Sequence, residues 1–176
     1  MDSLSIVIPA YNEEKRLPQT LRQVLDWLAL GAFSFREVIV VDDGSRDGTA
    51  RVVEEFAKAS ACLRLVKDPG NRGKGYAVRH GMLEAKGEWI LYTDADLSTP
   101  ITEIEKLCRA ASEKGAKVAI GSRALDRSLY TTQARGYSRA SPGRNLGHRK
   151  TPGKRLSGHE PRTRHEAVAI VANPFQ

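Results

Sequence analysis

The chain has 176 residues, 40% of them hydrophobic and 28% charged, as a globular domain with or without a tail requires. Its net charge of +7 is local: residues 130–176 carry 9 Lys+Arg against 2 Asp+Glu, while residues 1–129 balance at 19 of each. No run reaches the roughly 18 to 20 apolar residues of a membrane span, and the opening MDSLSIVIPAYNEE has no basic or apolar signal-peptide region. The expected location is therefore the cytoplasm, or peripherally the inner face of a membrane.

Leu4 to Ile8 is an apolar run stopped by Pro9 and reads as a buried strand. Leu17, Leu21, Val24, Leu25 and Leu28 then recur at helical spacing, and Gly31 ends that helix. Val38 to Val41 is a second strand, stopped at Asp42-Asp43-Gly44-Ser45. Asp47 caps a second helix with Val52, Val53, Phe56 and Ala57 inward. Leu63 to Val66 is a third strand, with reduced Cys62 expected buried beside it, and Asp68 to Asn71 is a turn. Gly73 to Lys86 is a third helix with Val78, Met82 and Ala85 inward; Trp89 to Tyr92 is a fourth strand. Thr99 and Pro100 open a fourth helix along Ile101, Ile104, Leu107, Cys108 and Ala111, and Val118 to Ile120 is a fifth strand.

Strands apolar on both faces, alternating with amphipathic helices, predict an α/β fold with a parallel sheet covered on both sides. Right-handed crossovers put every strand's C-terminal end on one edge, where ligands bind. The polar segments fall there: Tyr11-Asn12-Glu13, Asp42-Asp43, Asn71 to Gly75, Asp94-Ala95-Asp96 and Arg123. From about Leu129 the periodicity is lost. The domain is expected over 1–128 and an irregular, disordered basic tail over 129–176, in which only Ala167 to Ala172 is apolar.

Two aspartates one residue apart are usually just solvated. Directly after a buried strand, Asp94 and Asp96 can turn to one Mg²⁺ or Mn²⁺, whose shell diphosphate oxygens and water complete. Asp42 and Asp43 can accept from a base or ribose, while Ser45 or Asp47 caps the next helix. Lys74 between Gly73 and Gly75 can reach a phosphate, although no Walker A pattern is present. Arg123 suits phosphate recognition. The four histidines show no metal spacing and the serines no G-x-S-x-G elbow.

Three segments together carry a family resemblance. Ser5-Ile6-Val7-Ile8-Pro9-Ala10-Tyr11-Asn12-Glu13-Glu14, Val41-Asp42-Asp43-Gly44-Ser45-Arg46-Asp47-Gly48-Thr49 and Thr93-Asp94-Ala95-Asp96-Leu97-Ser98 resemble family 2 glycosyltransferases of the GT-A fold. Asn71 to Arg79 is similar to the polyprenyl/dolichyl-phosphate sugar transferases, above all the dolichyl-phosphate β-glucosyltransferases. The resemblance spans residues 4 to about 128. It implies that Pro9, Tyr11 and Glu13 line the nucleoside, that Asp42 contacts base or ribose, and that Lys74 lies near the nucleotide; Ala10 and Asp43 are expected among the substrate-binding residues beside them. Asp94 and Asp96 would bracket a metal-bound diphosphate, with Ala95 between them also expected to bind substrate, and Arg123 would hold phosphate charge, Asp96 and Arg123 serving catalysis. The implied reaction moves a sugar, with inversion, from a nucleotide-sugar donor to a polyprenyl or dolichyl phosphate at a membrane surface.

UDP-glucose is the donor implied by Gly73 to Arg79, with GDP-mannose its rival. The family continues past Gly121-Ser122-Arg123 into an acceptor-side region that residues 130–176 do not resemble; a shifted reading frame or an aberrant terminus after Ser128-Leu129 is the expectation, and with it weak nucleotide-sugar binding and slow or absent turnover. The competing readings are a family 2 enzyme with another acceptor, a non-catalytic nucleotide-sugar-binding remnant, and a basic-tail binder of nucleic acid or anionic membrane. The tail has no nucleic-acid motif, so no specific nucleic-acid partner is expected.

Overall fold

The computed structural model describes residues 3–97, 99–121 and 168–174. Its elements are β1 (Ser3–Ala10), α1 (Leu17–Leu30), β2 (Phe35–Asp42), α2 (Thr49–Ala59), β3 (Leu63–Lys67), α3 (Lys74–Glu84), β4 (Trp89–Tyr92), a 3₁₀ turn (Ile101–Glu103) leading into α4 (Ile104–Lys114), β5 (Val118–Gly121) and β6 (Val168–Ala172). The described residues fall in one compact unit, and no helix among them is long and apolar enough to cross a membrane.

The six strands lie in the order β3-β2-β1-β4-β6-β5. β1 to β4 pair in parallel, with Ile6 opposite Val38 and Leu91, and Val40 opposite Leu65. The expectation of helices on both faces is met. Leu4, Ile6, Ile8, Val38 and Val40 face α1, α2 and α4 in the larger core cluster; Val7, Ile39, Val41 and Ile90 face α3 in the smaller one. Branched residues on both pleats of β1 and β2 explain why these strands are buried throughout.

The inner face of α3 differs from the sequence expectation. Its buried residues are Ala77 and Gly81, with Val78, Met82 and Ala85 only partly buried. A Cβ on Gly81 would run into the side chains of Val7 and Val41. Small residues let the helix lie against the sheet, so apolar bulk is a poor guide to its facing side. At α2 the helix begins at Thr49; Asp47 Oδ1 accepts its amide at 3.0 Å, so the capping carboxylate stands one position before the Gly48 boundary. Thr99 makes no cap, and the 3₁₀ turn intervenes before α4. Cys62 and Cys108 are half-buried rather than buried, without a disulfide.

The far side of the sheet departs furthest. β6 runs antiparallel between β4 and β5, with Ile170 opposite both Leu91 and Ala119. Residues 168–172 therefore leave the irregular tail expected over 129–176; the rest of that span lies outside the described residues. β4 and β5 each present an unpaired edge, which a short apolar strand can satisfy on both sides at once. Ile170 is fully buried, and Asn173 fastens the strand end by donating Nδ2 to the Gly87 carbonyl at 2.9 Å. β5 becomes the edge strand, with Val118 and Ile120 exposed rather than buried on both faces.

Candidate functional site

The parallel strands bring their C-terminal loops together on one edge, and hydrogen bonds join each loop to the next. Ala10 ends β1 buried beside Pro9, and its carbonyl accepts the Asp43 amide at 2.9 Å. Asn12 adopts φ +56°, where Asx residues are tolerated better than most. Its Oδ1 accepts the Arg46 amide at 2.8 Å and its own amide donates to Ser45 Oγ at 2.9 Å. The Glu13 amide donates to Thr49 Oγ1, the Glu14 amide to Asp47, and the Gly48 amide to Glu14 Oε2. Asp47 is held below its usual range: its slight burial acts upward, and hydrogen bonds from Thr49 and Glu14 outweigh it. Tyr11, within these loops, is 40% exposed, an aromatic residue of the kind on which a base can stack.

Asp42 and Asp43 are both buried, but they work differently. Asp42 Oδ1 accepts the Ser45 amide at 2.9 Å and so shapes its own turn. Asp43 Oδ1 accepts the Arg72 amide at 2.7 Å and Oδ2 the Gly73 amide at 2.8 Å. Both oxygens of Asp43 thus pin the loop that carries Lys74. Gly44 completes the contact: it has φ +72°, and a Cβ there would lie 2.6 Å from the Gly70 backbone, so only glycine fits. Besides the substrate contact expected from sequence, Asp43 serves as a brace between two loops.

Asp94 follows β4 after Thr93, whose amide donates to the Val7 carbonyl at 3.1 Å. Asp94 Oδ1 accepts the Tyr92 hydroxyl at 2.7 Å and lies 2.8 Å from Lys74 Nζ. The Tyr92 phenol is pushed up to about 12, by burial first and then by the Asp94 carboxylate. Burial acts downward on the Lys74 ammonium, and its bonds to Asp94 and Tyr92 more than offset that. Asp96 is exposed two residues on, and Leu97 turns the chain with φ +43°. The buried Ala95 carbonyl accepts Thr20 Oγ1 from α1 at 2.6 Å.

Of the residues expected from sequence, Ala10, Asp43, Lys74 and Asp94 are joined by a continuous chain of contacts through Gly73; Arg123 lies outside the described residues. Tyr92 and Thr20 were missed. Tyr92 reads as one more apolar strand residue, and Thr20 as a polar break in a leucine stripe; only the register of β4 beside Asp94 could have marked the tyrosine.

The donor set suits a hard divalent cation. No group of three or more His, Cys, Asp or Glu gathers among the described residues. Asp94 and Asp96 alone would supply the one or two carboxylates that Mg²⁺ or Mn²⁺ takes when phosphate oxygens and water fill the remaining positions.

Residues 5–167 match Glycosyl transferase family 2. The chain is 39% identical over 134 residues to dolichyl-phosphate beta-glucosyltransferase ALG5D of Trichomonas vaginalis, covering 70% of this chain and 40% of that protein. It is 41% identical over 133 residues to human dolichyl-phosphate beta-glucosyltransferase, covering 69% and 41%. The chain thus spans about two fifths of the length of these relatives. Among solved structures, S. aureus TarS 1–349 in complex with UDP-GlcNAc is similar at TM-score 0.51 and 28% identity, over 67% of this chain and 33% of that one. The mostly parallel mixed sheet has the GT-A arrangement that the motifs implied. With its motifs on one sheet edge and more than half its length matched, the chain belongs to glycosyltransferase family 2.

Proposed function

We propose that this chain carries the donor site of an inverting glycosyltransferase that moves glucose from UDP-glucose to a dolichyl or polyprenyl phosphate. The observation that carries it is Asp94, seated at the end of β4 between Tyr92 and Lys74, on the edge where Tyr11 and Asp42 also converge. The relatives' names support the glucosyl donor and the dolichyl-phosphate acceptor, and the UDP-GlcNAc complex of TarS supports a uridine nucleotide.

Tyr11 offers a face to the base, and Asp42 a buried carboxylate to base or ribose. Lys74 places positive charge beside the diphosphate. Asp94 and Asp96 would hold Mg²⁺ or Mn²⁺, which when bound neutralises charge growing on the leaving diphosphate. An acceptor phosphate oxygen attacks the anomeric carbon as its bond to the diphosphate breaks, the electron pair leaving on UDP and the configuration inverting. The phosphate monoester's second pKa is about 6. The nucleophile is thus already anionic near neutral pH and needs no general base. Positioning and electrostatic stabilisation supply the rate.

A thermal-shift and calorimetric panel of UDP-glucose and GDP-mannose, each with and without Mn²⁺, beside a radiolabelled transfer assay with dolichyl phosphate, tests this. Mn²⁺-dependent binding that prefers UDP-glucose is expected. Failure to bind either donor under any condition would refute the proposal.

A further inference from the structure

Lys74 and Asp94 form an ion pair across two loops, and the two partners differ in freedom. The Asp94 side chain is 14% exposed and the Lys74 side chain 54%. The carboxylate is fixed from below by the Tyr92 hydroxyl. The ammonium reaches in from the first turn of α3 on a side chain that is more than half exposed. Lys74 can therefore swing away while Asp94 stays. Its ammonium touches the same oxygen, Oδ1, that Tyr92 orients. A divalent cation and an ammonium repel each other and compete for one carboxylate, whereas a diphosphate attracts both.

We propose that Lys74 is a resident counter-cation of Asp94 that couples metal binding to nucleotide binding. In the empty protein it opposes entry of the divalent ion. When a nucleoside diphosphate arrives, the ammonium transfers to a phosphate oxygen, Asp94 Oδ1 is freed where it stands for the divalent ion, and each ligand tightens the other. The coupling is reciprocal by linkage. This rests on Asp94 and Asp96 being the metal-holding pair of the proposed function. Tyr92 remains in place throughout as the positioning residue that keeps Asp94 aimed, as groups behind metal-bound carboxylates do.

The test is a Mn²⁺ titration of the full chain, read by the electron paramagnetic resonance signal of the unbound ion, with and without UDP. Wild type is expected to bind Mn²⁺ weakly alone and more tightly with UDP. Lys74→Met is expected to bind Mn²⁺ alone about fivefold more tightly, the worth of one partly exposed ion pair, and to lose most of the UDP enhancement. Arg72→Met removes the same charge from the same loop, but Arg72 lies over the Tyr76 ring, 4.9 Å from its centre, so Mn²⁺ affinity should stay as in wild type. Unchanged Mn²⁺ affinity in Lys74→Met, or equal tightening in Arg72→Met, would overturn the coupling while leaving the proposed site standing. Wild type that binds neither Mn²⁺ nor UDP would remove the site itself.

Discussion

The two ends of the candidate site are built differently. At the nucleoside end, the loops after β1 and β2 are laced by backbone amides to Asn12, Glu14, Ser45, Asp47 and Thr49, and Asp43 pins the loop after β3. At the proposed diphosphate end, the contacts of the loop after β4 include the Tyr92 hydroxyl, the Thr20 hydroxyl and one partly exposed ammonium. The first end is a preformed seat. The second has the Lys74 ammonium on Asp94, the carboxylate proposed to hold the metal, so under that proposal its working arrangement arises with the ligands. Rigid recognition beside an exchangeable centre is what differential stabilisation of a departing diphosphate calls for.

Substitutions can break this contrast from either side. Asp94→Asn attacks the exchangeable end and should have the largest effect. It removes the carboxylate charge proposed to hold the cation, and Mn²⁺-dependent donor binding and transfer should fall by about a hundredfold or more, measured by calorimetry and radiolabelled transfer. Asp43→Ala attacks the preformed end. It strips two charge-assisted bonds from a buried carboxylate, and the midpoint in urea should report a loss of about 2 to 3 kcal/mol. KM for the donor should rise, while Mn²⁺ measured alone should bind no more weakly than to wild type, because the change loosens the loop that carries Lys74 and leaves the Asp94 carboxylate in place.

Tyr92→Phe sharpens the contrast. Mn²⁺ affinity in the presence of UDP should weaken by about tenfold, the lower range for loss of a group behind a metal ligand. The phenol is pushed up to about 12 by burial and Asp94, from 10.0. Its neutral form thus adds stability that is complete below pH 10 and fades as the pH rises through about 12. A tyrosinate absorbance titration should show one late phase that Tyr92→Phe abolishes. The smallest effect is expected for Thr20→Val, which releases the Ala95 carbonyl at about 1 kcal/mol, seen as a small fall in urea midpoint with near-normal UDP affinity.

Much of this was legible in the sequence because it depends on local pattern. β1 and β2 are branched and apolar on both pleats, so burial, parallel pairing and the polar loops at their ends follow directly. What stayed hidden depends on tertiary partners. Val168–Ala172 is a short apolar segment in a polar context, and nothing local tells it to slot between β4 and β5. α3 docks through Ala77 and Gly81, where closeness rather than bulk decides the face. Asp42 and Asp43 are identical in type and adjacent, yet only coordinates reveal that Asp43 holds a loop. Lys74 was placed near phosphate by its glycine flanks; its pairing with Asp94 depends on how two loops meet.

The most direct measurement is calorimetry of UDP-glucose binding to wild type and to Asp94→Asn, each with and without Mn²⁺. Binding that requires Mn²⁺ in wild type and vanishes in Asp94→Asn is the predicted result. Equal binding by both proteins, whatever the metal, would contradict a donor site centred on Asp94.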